Sequence, residues 1–380
     1  MIDKPIKWLL SSFTLPAMTA YVQTAINNKI GCITLDRPKA LNSLSLDMVR
    51  AITQALLDWR DDPDVLAVLI RSSSERAFCA GGDIRFFHDA GRATPQGGSA
   101  LLEDFFTEEY ALNHLAHTYP KPYIALMDGV VMGGGMGLGQ SGPSCQMRIV
   151  TERTKMAMPE VNIGLFPDVG GSHFLSRALG QIGTYLGLAG EVISAADALY
   201  AGLADVFVPA AQLPALVAML VSSKSSDVRA AIRAFAEPFR DHINPADSTL
   251  AVERAALDRH FGQGTVAAMI ESLRRDPGAF AQETLAAMRK RSPLMMCVTL
   301  EQLRRGASMD VADCLRMERT MVRRCFEHGE ILEGVRAMAI DKDNAPNWAP
   351  ATLDAVTPEM IAPFFAPAWP AHAHPLRALD

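Results

Sequence analysis

The sequence predicts an α/β protein in which stacked strand–turn–helix units are followed by a mostly helical C-terminal region. Two patterns carry that expectation. Over residues 31–150, short apolar runs alternate with amphipathic stretches, punctuated by Gly, Pro and Asp. After about Pro209 the strand-like runs vanish and helical patterns follow one another. Repeated strand–helix units join parallel strands through helical crossovers. The handedness rule for such crossovers then stacks successive units in one direction.

Residues 32–35 (Cys-Ile-Thr-Leu) read as a strand ending in the turn Asp36-Arg37-Pro38. Ser45 is placed to cap a helix whose apolar positions are Met48, Val49, Ile52, Leu56 and Trp59. Residues 65–70 form a short apolar run with two valines, the mark of a buried strand. A second amphipathic helix is expected over 101–115, with further strands over 122–127 and 146–150. Beyond Pro209, helical patterns cover 213–221, 228–239, 250–261, 266–274, 279–290, 294–304 and 311–326. No long linker separates the two parts, so the helical region is expected to pack on the first.

Composition narrows the function. A net charge of −6 argues against a nucleic-acid binder, whose footprint is basic. No run of eighteen apolar residues occurs, so no membrane span is expected. The six cysteines include no CxxC pair, which points away from zinc and from a disulfide framework, and towards a reducing compartment. Residues 1–20 are expected to form a flexible extension. Lys4 and Lys7 ahead of Trp8-Leu9-Leu10 resemble a signal peptide, but Ser11, Ser12, Thr14 and Pro16 break the apolar stretch.

Four motifs carry candidate chemistry. Gly81-Gly82-Asp83 lets backbone approach a ligand closely, with Asp83 capping the helix that follows; an ordinary turn is the plain alternative. Gly133-Gly134-Gly135-Met136-Gly137 follows a strand and opens a helix, so its free N–H groups favour negative charge, such as a developing oxyanion. It is neither a dinucleotide fingerprint nor a P-loop. In Met158-Pro159-Glu160, proline suits the first helical position and Glu160 sits in the first turn among apolar neighbours. Burial there would raise its pKa and fit it for base or nucleophile work; a surface residue favoured by the helix dipole is the plain alternative. Asp168, in Phe166-Pro167-Asp168-Val169-Gly170-Gly171, is either functional or the N-cap of a helix running to Leu179. Glu108-Glu109 borders the apolar face of the second helix, where a solvated acidic pair is the plain reading.

Taken in order, these motifs resemble the crotonase (enoyl-CoA hydratase/isomerase) superfamily, beginning at Leu35-Asp36-Arg37-Pro38-Lys39-Ala40-Leu41-Asn42. The Glu108-Glu109-Tyr110 and Phe166–Gly171 segments, with Arg291-Ser292-Pro293, Glu333-Gly334-Val335-Arg336-Ala337, Asp341-Lys342-Asp343 and Pro346-Asn347-Trp348, are similar to its 3-hydroxyisobutyryl-CoA hydrolase branch. The resemblance covers residues from about 25 to 365. It implies a spiral of strand–turn–helix units, with an acyl-CoA-binding core over 21–209 and a helical region over 210–365. Residues 366–380 are then left as a flexible tail. It also implies that the thioester oxygen sits between the N–H groups of Gly82 and Gly134. Glu160 and Asp168 are then catalytic, Glu109 contacts substrate, and Lys39, Ala40 and Leu41 lie along the adenine end of coenzyme A. Hydratases of the superfamily place a second glutamate where this chain has Gly137, which favours thioester hydrolysis over hydration of a double bond. The implied substrate is a short 3-hydroxyacyl-CoA from valine breakdown, with coenzyme A as part of the substrate and no metal or other cofactor. A homo-oligomer is compatible with this reading. The expected compartment is the cytoplasm, or the mitochondrial matrix if the N-terminal segment is a transit peptide.

Overall fold

The long strands of the first half alternate with short ones. The computed structural model describes residues 19–140, 146–223 and 227–380, so most of the expected N-terminal extension lies outside the described residues. The strands are β1 (Val22–Asn27), β2 (Ile30–Leu35), β3 (Ala67–Ser72), β4 (Ala77–Cys79) and β5 (Tyr123–Met127). They continue with β6 (Val130–Met132), β7 (Gln146–Val150), β8 (Lys155–Ala157) and β9 (Val206–Phe207). One sheet has the order β1-β2-β3-β5-β7-β9 and the other β4-β6-β8. All pairings are parallel except the β1–β2 hairpin. Each spiral turn therefore adds one strand to each sheet, which is the crotonase-like spiral expected.

The long sheet is buried on both faces, as parallel sheets are. Alternate residues point to opposite sides. Val68 and Ile70 join the main core, together with Met48, Ile52 and Leu56 of the Leu46–Arg60 helix. Leu69, Ile124, Leu126, Met147 and Ile149 face a second core, closed by Leu216, Leu220, Val228 and Ile232. Those last four come from the Leu213–Ser222 and Val228–Ala236 helices, so residues beyond Pro209 supply the outer layer of the sheet. The remaining helices of the C-terminal region pack on the opposite side.

The longer elements agree with the sequence patterns. Ser45 caps the Leu46–Arg60 helix, its side chain accepting from the Met48 N–H, and Asp83 caps the Ile84–Ala93 helix in the same way. The second amphipathic helix runs Ala100–His117. Strand β1 had no apolar alternation to announce it, because five of its six residues are exposed. Its hairpin turns through Asn28 and Lys29, with φ of 44° and 71°. Strands β4, β6 and β8 span three residues each, too few to show a period.

Residues 366–380 are not a flexible tail. Trp369 lies over the guanidinium groups of Arg319 and Arg323, at 5.0 and 4.8 Å. Leu376 is fully buried and Leu379 nearly so. Arg316 donates to the Leu376 carbonyl at 3.1 Å and also to that of Leu379. Alternating Pro and Ala in this stretch hides three anchors that no helix or strand period links. Leu376→Ala is expected to cost about 2–5 kcal/mol, as for a buried leucine. A urea midpoint measurement tests it; a change within about 0.5 kcal/mol would restore the free tail.

Candidate active site

The three short strands place the chemistry. β4, β6 and β8 are adjacent and parallel, so their C-terminal ends lie side by side. The chain leaves β4 into Gly81-Gly82, β6 into Gly133-Gly134-Gly135, and β8 into Met158-Pro159-Glu160. The three motifs, spread over some eighty residues of sequence, thus meet at one edge.

Each glycine of the triple run has its own steric reason. A methyl on Gly133 would sit 2.7 Å from Glu160 Oε1, and one on Gly134 would sit 2.6 Å from Glu109 Oε1. One on Gly135 would collide with the Cys79 carbonyl oxygen. The first two glycines therefore make room for two carboxyl groups, and the third lets β6 close on β4. Gly134 opens a short helix, Gly134–Gly139. Among the described residues, neither the Gly82 N–H nor the Gly134 N–H donates to an acceptor. Both border one cavity of about 150 Å³, whose wall also includes Glu109, Glu160 and Asp168. Phe87, Phe106, Met132, Leu165 and Met338 make much of the rest apolar.

The structure brings Glu109, Glu160 and Asp168 together, each at most 6% exposed. Glu160 begins the 3₁₀ turn Glu160–Ile163, with Pro159 as the N-cap rather than the first helical residue. Gly164, at φ 69°, closes that turn where a side chain would press on the Glu330 carbonyl. The Ser292 N–H donates to the Val161 carbonyl at 3.2 Å. Asp168 is not a helix cap. Its Oδ2 accepts from the Tyr110 hydroxyl at 2.7 Å, and the short helix after it, Gly171–Ser176, is capped from elsewhere. Glu318, fully buried, accepts from the N–H groups of Gly170 and Ser172, both at 2.8 Å. Gln302 donates to the Pro167 carbonyl at 2.6 Å and to the Ser172 hydroxyl at 2.8 Å.

Of the acidic pair, Glu108 is structural, held by Arg50 at 2.7 and 2.8 Å. Glu109 faces the cavity, and its Oε1 has no partner; nor has Glu160 Oε2. Lys39, Ala40 and Leu41 are not brought to the cavity wall. They form a 3₁₀ turn with Lys39 exposed, tied to the first glycine loop because Ala80 donates to the Leu41 carbonyl at 3.0 Å. Arg37 of the same motif pairs with Asp83 at 2.8 Å, and Asn42 donates to the Ala77 and Phe78 carbonyls. That conspicuous motif is thus chiefly a brace for the loop.

Gly137 is closely packed. A methyl there would lie 2.6 Å from Val169 Cβ and 2.7 Å from Asn113 Nδ2, so the site has no space for a glutamate at this position. Val169 holds φ 52°, a strained conformation for a β-branched residue.

Burial, and then the neighbouring Asp168 charge, push Glu109 and Glu160 well above the usual carboxylate range. Burial also raises Asp168, to about 6, against the hydrogen bond from Tyr110 that lowers it. Cys79 beside the loop is no competing nucleophile, since burial lifts its thiol to about 12. Sequence reasoning passed over Tyr110, Glu318 and Met338. Tyr110 had a signal, its place beside Glu109; Glu318 lies 148 residues from Gly170 and had none.

A family model of enoyl-CoA hydratase/isomerase matches residues 30–365. The chain belongs to this family. It is 41% identical over 342 residues to the mitochondrial 3-hydroxyisobutyryl-CoA hydrolase of Danio rerio, covering 89% of this chain and 87% of that protein. With the Homo sapiens protein of the same name it shares 37% over 356 residues, covering 92% and 90%. Among solved structures of the family, a carnitinyl-CoA dehydratase from Mycobacterium thermoresistibile superposes with a TM-score of 0.85 at 38% identity, covering 93% of this chain and 98% of that one. An enoyl-CoA hydratase from Rhodobacter sphaeroides gives 0.81 at 40%, covering 92% and 98%.

The linkage between charge and stability follows from the shifts. Asp168 rises from 3.8 to about 6 on folding, so the native state binds more protons than the unfolded one between those values. Its contribution is present below pH 3.8 and lost as pH rises through about 6. Asp168→Asn is therefore expected to be the more stable protein at pH 8, by up to about 3 kcal/mol, with the advantage fading towards pH 4. Paired denaturation curves at several pH values measure it. A pH-independent difference would mean that folding leaves the Asp168 carboxyl where it stands in the unfolded chain.

Proposed function

We propose that the chain hydrolyses the thioester of 3-hydroxyisobutyryl-CoA, or a similar short 3-hydroxyacyl-CoA, to the free acid and coenzyme A. The observation that carries this reading is the largely apolar cleft in which two unpaired backbone N–H groups and three buried carboxyl groups share one wall. The names of the relatives in Danio rerio and Homo sapiens support the same substrate.

The thioester oxygen would lie between the Gly82 and Gly134 N–H groups. They polarise the carbonyl and stabilise the oxyanion as charge develops, which in such chemistry typically lowers the barrier more than any other effect. Donors fixed by the fold need no reorganisation during the reaction, which is why their lack of other partners matters. Glu160 then attacks the carbonyl carbon and expels the coenzyme A thiolate, leaving an anhydride that water opens, or it takes a proton from water that attacks directly. Each route consumes one water and one thioester. Glu109 and Asp168, the other two carboxyl groups of the wall, would hold the substrate hydroxyl or orient the water. Lys39, Ala40 and Leu41 stay as the proposed contact for the adenine end, outside the cavity that holds the acyl group.

The proposed pathway is valine breakdown. The relatives' names favour the mitochondrial alternative over the cytoplasm first expected. Both compartments are reducing and keep the described cysteines as free thiols.

The solved relatives are named for hydratase and dehydratase chemistry, so the test must separate the two. With 3-hydroxyisobutyryl-CoA, stoichiometric free thiol is expected; efficient hydration of an enoyl-CoA without thiol release overturns the reading. Glu160→Gln should keep acyl-CoA binding and lose at least about 10³ in kcat, as for a group acting in the transition state. Asp168→Asn should lose more kcat/KM on the 3-hydroxyacyl thioester than on isobutyryl-CoA. Equal losses on the two substrates would remove Asp168 from hydroxyl recognition.

A further inference from the structure

Three carboxyl groups share one cavity, and their partners are unequal. Glu109 Oε1 and Glu160 Oε2 are buried with no hydrogen-bond partner. Asp168 Oδ2 accepts from the Tyr110 hydroxyl at 2.7 Å. Tyr110 is fully buried, and its ring meets Phe106 edge-on with centroids 5.9 Å apart, so its hydroxyl has a fixed aim.

The groups that act on Asp168 are otherwise unhelpful to a negative charge. The Ala100–His117 helix presents Glu109 along with Tyr110, and the Glu160–Ile163 turn presents Glu160. The Val311–His328 helix presents Glu318 and the thiol of Cys325. Beyond the contribution of its own backbone, the Tyr110 hydroxyl is the donor that favours the charged form of Asp168.

We propose that Tyr110 is a positioning residue that makes Asp168 the resting place of the cavity's negative charge, leaving Glu109 and Glu160 neutral until substrate arrives and Glu160 yields its proton to Asp168 to become the reacting carboxylate. The inference rests on the hydrolase reading above and deepens it. A second carboxylate beside a charged Asp168 would meet both burial and repulsion, so the donor's position decides which group ionises first. It also turns the Asp168 carboxylate, since Oδ2 is engaged and Oδ1 is the oxygen left to meet a substrate hydroxyl or water. Tyr110 itself stays protonated, because burial raises its pKa further.

The test uses the full chain and its wild-type pH profile of kcat/KM on 3-hydroxyisobutyryl-CoA. Tyr110→Phe removes the donor and keeps the ring, so the acid limb should move up by about one pH unit, costing roughly tenfold at pH 6 and less at pH 8. Replacing Tyr110 by 3,5-difluorotyrosine supplies a stronger donor and should move the limb down. Opposite shifts from the two variants cannot arise from a damaged fold. In the Asp168→Asn background, Tyr110→Phe should cause little further loss, as for residues acting through one another. An unmoved limb in both variants, or losses that simply add, overturns the proposal. Absence of thiol release by the wild type would sink the hydrolase reading instead. The Asp168 carboxyl carbon resonance, titrated in wild type and Tyr110→Phe, then still decides the role of Tyr110: equal titration midpoints refute it.

Discussion

Parallel alignment of three very short strands is the constraint on which the site depends. A parallel pair fixes the relative height of its strand ends. Because β4, β6 and β8 run the same way, the loops that leave them emerge at one level. On the hydrolase reading proposed above, two of those loops bring backbone N–H groups to within reach of one oxygen atom, and the third brings a carboxyl group. Gly135 sits tight against the Cys79 carbonyl, so even the spacing between the first two loops is set by the lack of a side chain.

Burying three carboxyl groups in such a place is unfavourable, and the structure offsets the cost unevenly. Glu108 next door is satisfied by a guanidinium and carries no chemistry. Glu109, one residue on, is given nothing. Asp168 receives one hydroxyl. The loop that carries Asp168 is secured by Glu318 and Gln302, which bind its backbone and leave its side chain to the cavity. Strain is stored here too, since Val169 keeps a left-handed backbone while its side chain fills the space against Gly137. Hydrogen bonds thus go mostly to the scaffold around the cavity, and Glu109 Oε1 and Glu160 Oε2 stay without a partner.

Much of this could be read in the sequence, for physical reasons that differ from element to element. Residues 65–70 announced a strand because both faces of β3 are buried. The glycine run and Glu160 announced a site because those residue types are destabilising there without a purpose. The helices of the C-terminal region showed through their periodicity. β1 was silent, having little apolar surface. The tail was silent because Trp369 and Leu376 anchor an irregular path. Asp168 was ambiguous: an aspartate ahead of two glycines is as good a cap as a ligand, and only the distant Glu318, by taking the capping role, frees it. Lys39, Ala40 and Leu41 show the opposite failure, a conspicuous motif whose neighbours Arg37 and Asn42 mostly brace a loop.

The grip of Glu318 on Gly170 has a consequence for the order of events during synthesis. The two residues are 148 positions apart. At roughly 5–20 residues per second, the carboxylate leaves the ribosome on the order of ten seconds after the loop it secures. Until then the strands and glycine loops can already have formed, but the segment carrying Asp168 has no cap and no fixed course. On the hydrolase reading, a nascent chain that has released its whole spiral is therefore a vessel without its latch, unable to turn over substrate before the helix that carries Glu318 docks.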